Sequence, residues 1–333
     1  MNRIAIIGTG LIGTSIGLAL KRAKLQNVEV VGHDREPEHA AKAKRLGAVD
    51  RTEWNLIRTV ERAGLIILAV PVTAIKEIFE ATAPYLPEGA VVTDTASTKA
   101  EVLRWADQLL PETVHFVGGH PMAGKELSGP DAADPDLFKD AIYCVVPSVR
   151  ASERAVDTVV NMVGLLGAEP YFVDAAEHDS FVAAVSHLPI VISSALVAST
   201  TRSPAWREMA KLAASAYRDL TRLASGDPVM NRDIMLTNRE AVVRWIDFFI
   251  EELKRYRALI TEGGPALGEE FERTHAAREQ WLRSPRTVGT PPGPRVPGMG
   301  ESMMAFLFGE RLARASQDAL RPPKPDKNGK KSS

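Results

Sequence analysis

Apolar positions along the first half of the chain follow two periods. Short apolar runs at 3–7, 28–31, 65–70, 90–93, 114–117, 141–146 and 169–173 read as strands. Helical spacing covers 14–23, 37–46, 56–63, 73–83, 99–110 and 152–166. The run at 65–70 is continuous and stops at Pro71, as a strand buried on both faces requires. Strands alternating with helices through short loops predict a mostly parallel, doubly wound α/β sheet. Such sheets take ligands at the carboxyl ends of their strands. The loops after Ile7, Val31, Val70, Thr93 and Val117 are therefore the ones expected to carry function.

From residue 174 the strand signals stop. Helical patterns fill 175–199, 206–224, 228–262 and 267–282, which predicts an all-helical second domain. Residues such as Ile190, Val191, Ile192, Leu196 and Val197 leave the first of these helices little polar relief. A helix apolar all round must be buried, in a deep core or against a second subunit. A homodimer built on these helices is expected. Residues 284–300 are rich in Pro and Gly and read as a linker. A short amphipathic helix is expected over 302–320, and a disordered basic tail over 322–333. The expected division is 1–173, 174–283 and 284–333.

Composition narrows this picture only a little. Of 333 residues, 45% are apolar and 25% charged, ordinary values for a globular chain with a sizeable core. The formal net charge of −1 gives no reason to expect nucleic-acid or membrane binding. One cysteine, Cys144, excludes an internal disulfide framework, and its apolar surroundings suggest an inert core residue. No leader is expected, because the first strand begins at once. No run of about 18 apolar residues is recognised. A cytoplasmic, soluble protein without a metal is expected.

The first strand leads into Gly8-Thr9-Gly10-Leu11-Ile12-Gly13. Here G-x-G-x-x-G follows a strand and opens a helix, the context that gives it meaning. Gly8 permits the tight turn, Gly10 lets backbone approach a pyrophosphate, and Gly13 lets the helix pack on the strand. The helix amino end offers N–H groups and a positive dipole end to phosphates. Val70, at the end of a neighbouring strand, is expected beside the same cofactor. Asp34 ends the second strand, where it can accept hydrogen bonds from ribose 2′- and 3′-hydroxyls and repel a 2′-phosphate. NAD rather than NADP is expected, although Arg35 follows directly.

Four more stretches carry candidate chemistry. In Asp94-Thr95-Ala96-Ser97-Thr98-Lys99, Ser97 and Thr98 either cap the next helix or place the Ser97 hydroxyl near the nicotinamide and substrate. The glycine-dense loop after 117 carries His120 and Glu126. A lone histidine is usually structural, but this one stands at a strand's carboxyl end. A near-neutral histidine suits removal of a hydroxyl proton as hydride leaves. His187 lies in Ser186-His187-Leu188-Pro189, where Pro189 should kink the helix and free backbone groups. It is either a packed helix histidine or a ligand contact. Arg218 and Arg222 share one helix face, solvated, paired with acids, or clamping carboxylates.

Together these stretches resemble the prephenate dehydrogenase family, which includes arogenate and cyclohexadienyl dehydrogenases. The matching motifs are the glycine loop, 94–99, Gly119-His120-Pro121-Met122-Ala123-Gly124 with Glu126 and Ser128-Gly129, 186–189, and 218–222 followed by Asp227-Pro228. The resemblance implies NAD-dependent oxidative decarboxylation of prephenate to 4-hydroxyphenylpyruvate, on the route to tyrosine. It implies that His120 takes the C4 hydroxyl proton and that Ser97 hydrogen-bonds His120 or that hydroxyl. It also implies that Arg222 holds the ring carboxylate, that Arg218 faces the pyruvyl side chain and that Glu126 gates or orients the pocket. The chain departs from the family pattern at Ile190, often a second histidine, and at Asn231, often a tryptophan. Those departures bear on prephenate against arogenate. No ACT regulatory domain is expected after Leu282. Rival readings are an arogenate or dual-substrate dehydrogenase, a β-hydroxyacid-type dehydrogenase with a lysine base on its helical domain, and a cofactor-binding regulator without turnover.

Overall fold

The first apolar run becomes strand β1 (Asn2–Ile7) near the middle of an eight-stranded sheet. The computed structural model describes residues 2–125 and 127–283. Glu126 and the expected linker, short helix and tail over 284–333 lie outside the described residues. The other strands are β2 (Val28–His33), β3 (Arg51–Thr52), β4 (Ala63–Leu68), β5 (Val91–Asp94), β6 (His115–Pro121), β7 (Ile142–Pro147) and β8 (Glu169–Phe172). They lie in the order β3-β2-β1-β4-β5-β6-β7-β8. The two-residue β3 was too short to read from the sequence.

Side chains of β1 alternate between two cores, as the period of a strand dictates. Ile4 and Ile6 pack with Ile16 and Leu20 of α1 (Leu11–Arg22) and with Val159 and Val163 of α6 (Glu153–Leu165). Ala5 and Ile7 face Ile75 and Phe79 of α4 (Val72–Thr82) and Val102 and Trp105 of α5 (Ala100–Leu109). Two smaller helices, α2 (Pro37–Arg45) and α3 (Leu56–Val60), complete the layers.

All neighbouring strands run parallel except β6 and β7, which are antiparallel. The physical reason lies in 122–141. Among its described residues that stretch has a single turn of 3₁₀ helix, Pro130–Ala132, and no α-helix to carry the chain back across the sheet. It stays at the carboxyl edge and folds over α1 and α2. Asp134 N–H donates to Ser15 Oγ at 2.9 Å, Arg22 pairs with Asp136 at 2.7 Å, and Lys42 pairs with Asp131. The glycine loop and the His120 loop are thus neighbours.

The second domain is helical throughout its described length: α7 (Ala175–Val182), α8 (Leu188–Thr201), α9 (Trp206–Leu212), α10 (Ser215–Thr221), α11 (Pro228–Thr237), α12 (Arg239–Glu262) and α13 (Pro265–Arg283). The expected long helices over 206–224 and 228–262 are each broken in two. Asn238, the junction of α11 and α12, turns its side chain to the Asp179 carbonyl and the His187 ring within the same domain. The helix over 175–199 contains a π-helical turn, Ala183–His187, just before Pro189. Pro189 has no N–H for the carbonyl four residues back and its ring would strike it, so the ladder widens there.

The stretch Ala175–Thr201 is long and apolar enough to cross a bilayer, by length and composition alone. The sequence reading recognised no such run, because His178, Asp179, Ser186 and His187 interrupt it. Three of those four are buried in the junction with the sheet domain. In α8 only Leu188 and Ser193 are buried within the chain. Phe181, Val185, Leu220, Val243, Phe248 and Leu253 stand exposed on the same domain. That is an apolar surface in need of cover.

Candidate active site

The glycine loop is built as its spacing requires. Gly8 has φ +89°, and a Cβ there would lie 2.2 Å from the Ala69 carbonyl oxygen and 2.8 Å from Val70. A Cβ on Gly13 would lie 1.9 Å from the Gly8 carbonyl oxygen. At Gly10 the space is open, with nothing within 4 Å. No side chain caps the amino end of α1, and its first turn carries no acid. An open backbone approach facing an uncapped helix end fits a pyrophosphate. Thr9 is fully buried, while Leu11 and Ile12 begin the helix. Asp34 stands at the tip of β2 and faces the loop. Its Oδ2 accepts from Thr9 N–H at 2.6 Å and from the Thr9 hydroxyl at 3.0 Å. Its Oδ1 accepts from Glu36 N–H at 2.9 Å. The carboxylate is held where a ribose would lie, while the Arg35 side chain is 93% exposed.

Across the sheet, β5 ends at Asp94 and α5 begins at Ala100. Neither Ser97 nor Thr98 caps α5. The cap comes from the second domain: Asp179 on α7 accepts from Lys99 N–H at 2.7 Å and Ala100 N–H at 2.9 Å. Thr98 instead meets the Thr237 hydroxyl at 2.9 Å, and Thr73 donates to Asp233 at 2.6 Å. These contacts dock the helical domain on the sheet. Lys99 is wholly buried, paired with Asp94, and donates to the Gly119 carbonyl at 2.8 Å. Its ammonium therefore fixes the backbone just before His120. Burial lowers the Lys99 pKa, against the attraction of Asp94.

His120 sits near the carboxyl end of β6, opposite Cys144 on β7. Its Nδ1 lies 2.9 Å from His178 Nε2, and His178 Nδ1 lies 2.8 Å from Asp179 Oδ1. The structure links His120 to His178; it has no hydrogen bond between His120 and Ser97, which is half-buried between β5 and α5. Burial, then the neighbouring His178 and Lys99, hold His120 well below the ordinary histidine range. It is therefore neutral and a proton acceptor at pH 7. Burial also pushes the Cys144 thiol up to about 11, which makes it the inert core residue expected.

His187, on the π-helical turn, is fully buried. Asn238 Nδ2 donates to the Asp179 carbonyl at 2.7 Å and faces His187 Nδ1 at 3.1 Å. Nδ1 is thus an acceptor, so the proton of the neutral ring is on buried Nε2, and the ring also meets the Ser97 backbone. Burial brings its pKa from 6.5 to about 4, partly opposed by Asp179. The unfolded chain then binds more protons than the folded chain between those two values. This contribution to stability is complete above pH 6.5 and is lost as pH falls through about 4. Its size is at most about 3 kcal/mol. Urea midpoints measured from pH 7 to pH 4 should fall, and His187→Gln should flatten the slope; equal slopes would count against the assignment.

Of the expected site residues, the structure gathers His120, Ser97 and His187 at the junction of the two domains. The glycine loop with Asp34 and Val70 lies along the same sheet edge. Arg218 and Arg222 lie apart from this cluster, on α10 and the 3₁₀ turn that continues it. Both are exposed in the single chain, over α8, where Ser193 Oγ donates to the Leu220 carbonyl at 2.5 Å. His178 and Asp179 were not assigned a role from the sequence. The signal was there: a histidine and an acid one turn into the first helix after the Asp174 cap must face the sheet domain.

A glycine-loop dinucleotide fold, joined to a helical domain that closes a buried histidine against it, defines a two-domain oxidoreductase. Two family models divide the chain the same way: "Prephenate dehydrogenase, nucleotide-binding domain" over 16–172 and "Prephenate dehydrogenase, dimerization domain" over 174–273. The chain belongs to the prephenate dehydrogenase family. It is 36% identical over 263 residues to the prephenate dehydrogenase of Bacillus subtilis, covering 78% of this chain and 70% of that one. It is 37% identical over 274 residues to the enzyme of Lactococcus lactis subsp. cremoris, covering 81% and 75%. Among solved structures, prephenate dehydrogenase from A. aeolicus in complex with hydroxyphenyl propionate and NAD+ superposes with a TM-score of 0.79 at 28% identity, covering 84% of this chain and 98% of that one.

Proposed function

We propose that this protein is an NAD-dependent prephenate dehydrogenase, acting as a homodimer through its helical domain, with domains 1–173 and 174–283. The observation that carries the reading is His120, held neutral at the junction beside an NAD-type glycine loop. The glycine loop at Gly10 and the Asp34 carboxylate would hold NAD, which would supply the hydride acceptor for C4 of the substrate. His120 takes the C4 hydroxyl proton. Ser97 orients the hydroxyl, and the His187 Nε2–H offers a second donor. Arg222 holds the ring carboxylate until it leaves as CO2, which restores the aromatic ring. Arg218 faces the pyruvyl side chain, and Glu126 orients the pocket. The exposed apolar residues of α12 and the half-buried ones of α8 support the dimer.

The β-hydroxyacid reading needs a lysine base on the helical domain. The two described lysines there, Lys211 and Lys254, sit in exposed pairs with Glu208 and Glu251. Neither suits a desolvated base.

The test is NADH or NADPH formation from prephenate and from arogenate, each with NAD and NADP. Prephenate with NAD should be the fastest combination. A preference for arogenate or for NADP would overturn the corresponding part of the reading, and no turnover of any of the four would leave the regulator. Arg222→Ala should raise the prephenate KM roughly 10- to 100-fold, the scale of a lost charged hydrogen bond, with a smaller effect on kcat. A loss confined to kcat would argue against the clamp.

A further inference from the structure

Asp179 accepts two backbone N–H groups at the start of α5, through Oδ1 from Lys99 and Oδ2 from Ala100, and Oδ1 also meets His178 Nδ1. The Asp179 carboxylate thus acts as an acceptor at both oxygens. It can only accept from His178, so His178 carries its proton on Nδ1 and presents a lone pair at Nε2. His120 Nδ1 lies 2.9 Å from that lone pair and must be the donor. The ring that donates at Nδ1 is unprotonated at Nε2. We infer that Asp179 and His178 form a positioning relay that sets the tautomer of His120, leaving its Nε2 free as the proton acceptor. This inference rests on the function proposed above.

The relay also receives charge. As the substrate hydroxyl gives its proton to His120 Nε2, the Nδ1 proton can pass to His178 Nε2, and the positive charge then rests beside Asp179. The proton count closes without solvent. Bound NAD would supply the hydride acceptor, the C–CO2 electron pair flows into the ring, and the resulting phenolate oxygen takes the proton back from His120. That balance suits a relay whose members are 1% and 5% exposed. The other groups around His120 and the relay are Lys99 and Asp94 behind its backbone, His187 on the π-helical turn, and Cys144 and Tyr143 on β7. None of these is hydrogen-bonded to a ring nitrogen of His120 or His178 among the described residues.

Nitrogen-15 NMR of the histidine rings, assigned by substitution, reads the tautomers without substrate. His120 and His178 should be protonated at Nδ1 and His187 at Nε2. Asp179→Asn should lower kcat roughly 10²–10⁴-fold, the scale of a misplaced tautomer, and move the acid limb of kcat/KM down by roughly one pH unit. Because Asp179 also caps α5, two further variants leave it in place. His178→Gln keeps an acceptor for His120 Nδ1–H, and His178→Leu removes it. The order of kcat should be wild type, Gln, Leu, with prephenate KM within about threefold throughout. A purely structural role would neither move the pH limb nor order these variants so. A resting His120 protonated at Nε2, or His178→Leu with wild-type kcat and pH profile, would overturn the relay. If wild type fails to oxidise prephenate while the tautomers are as stated, the proposed function falls and the relay stands.

Discussion

His120→Asn should lower kcat roughly 10²–10⁴-fold, the usual scale for a lost general base. The substitution separates the two ends of the ring. An asparagine amide nitrogen falls near the position of Nδ1, so it can still donate to His178 Nε2, as His120 Nδ1 does at 2.9 Å. Nothing replaces Nε2. The fold should therefore survive, since the backbone before residue 120 is held independently by Lys99 on the Gly119 carbonyl and by the Asp94 carboxylate on Gly119 N–H at 3.1 Å. Cofactor binding should be unchanged, because the glycine loop and Asp34 make no hydrogen bond to His120. Steady-state kinetics with both substrates varied gives the answer. A kcat within a few-fold of wild type would remove His120 from the chemistry, and a large rise in the NAD KM would mean the two loops are coupled in a way their hydrogen bonds do not reveal.

The glycine loop, Asp34 and His120 were legible in the sequence because each depends on local order. A glycine spacing after a strand, an acid at the next strand's tip and a histidine at a strand's end need no knowledge of what lies across the chain. The antiparallel β7 was not legible, because its direction depends on whether 122–141 forms a crossover helix, and the apolar pattern of 141–146 is the same either way. The cap of α5 was not legible for a similar reason. Ser97 and Thr98 have the right chemistry to cap it, but Asp179, 79 and 80 residues away in sequence, takes both N–H groups. Once the cap comes from the helical domain, Thr98 is released to meet Thr237. The same docking turns His178 toward His120. Long-range contacts therefore completed a site whose starting residues were visible one strand at a time. Arg218 and Arg222 show the converse. The resemblance gives them substrate roles, and the single chain leaves them on an exposed helix face beside the apolar surface of the dimerization domain.

Lys99→Met should destabilise the fold by roughly 3–5 kcal/mol, the scale for removing one partner from a buried ion pair. Methionine has the length and apolar character to fill the space, so packing is largely kept. What is lost is the only cation paired with Asp94 among the described residues, where the Asp94 side chain is wholly buried. The carboxylate would keep Gly119 N–H at 3.1 Å and Ala96 N–H at 2.9 Å, too little to offset an isolated buried charge. Urea unfolding at one fixed protein concentration measures the loss, since dimerisation makes the midpoint concentration-dependent. The double variant Asp94→Asn with Lys99→Met should recover most of it, because no uncompensated charge remains. The double variant also tests the charge of Lys99 in the site, Lys99 and not Asp94 being among the causes that act on His120. The ammonium is one of the causes that hold His120 low, after burial and His178. Its removal should move the acid limb of kcat/KM to higher pH while the chain stays folded. A single variant as stable as wild type would mean that the pair contributes no net ionic stabilisation to the folded chain. A double variant that is folded but shows an unmoved acid limb would limit Lys99 to holding the Gly119 carbonyl in place.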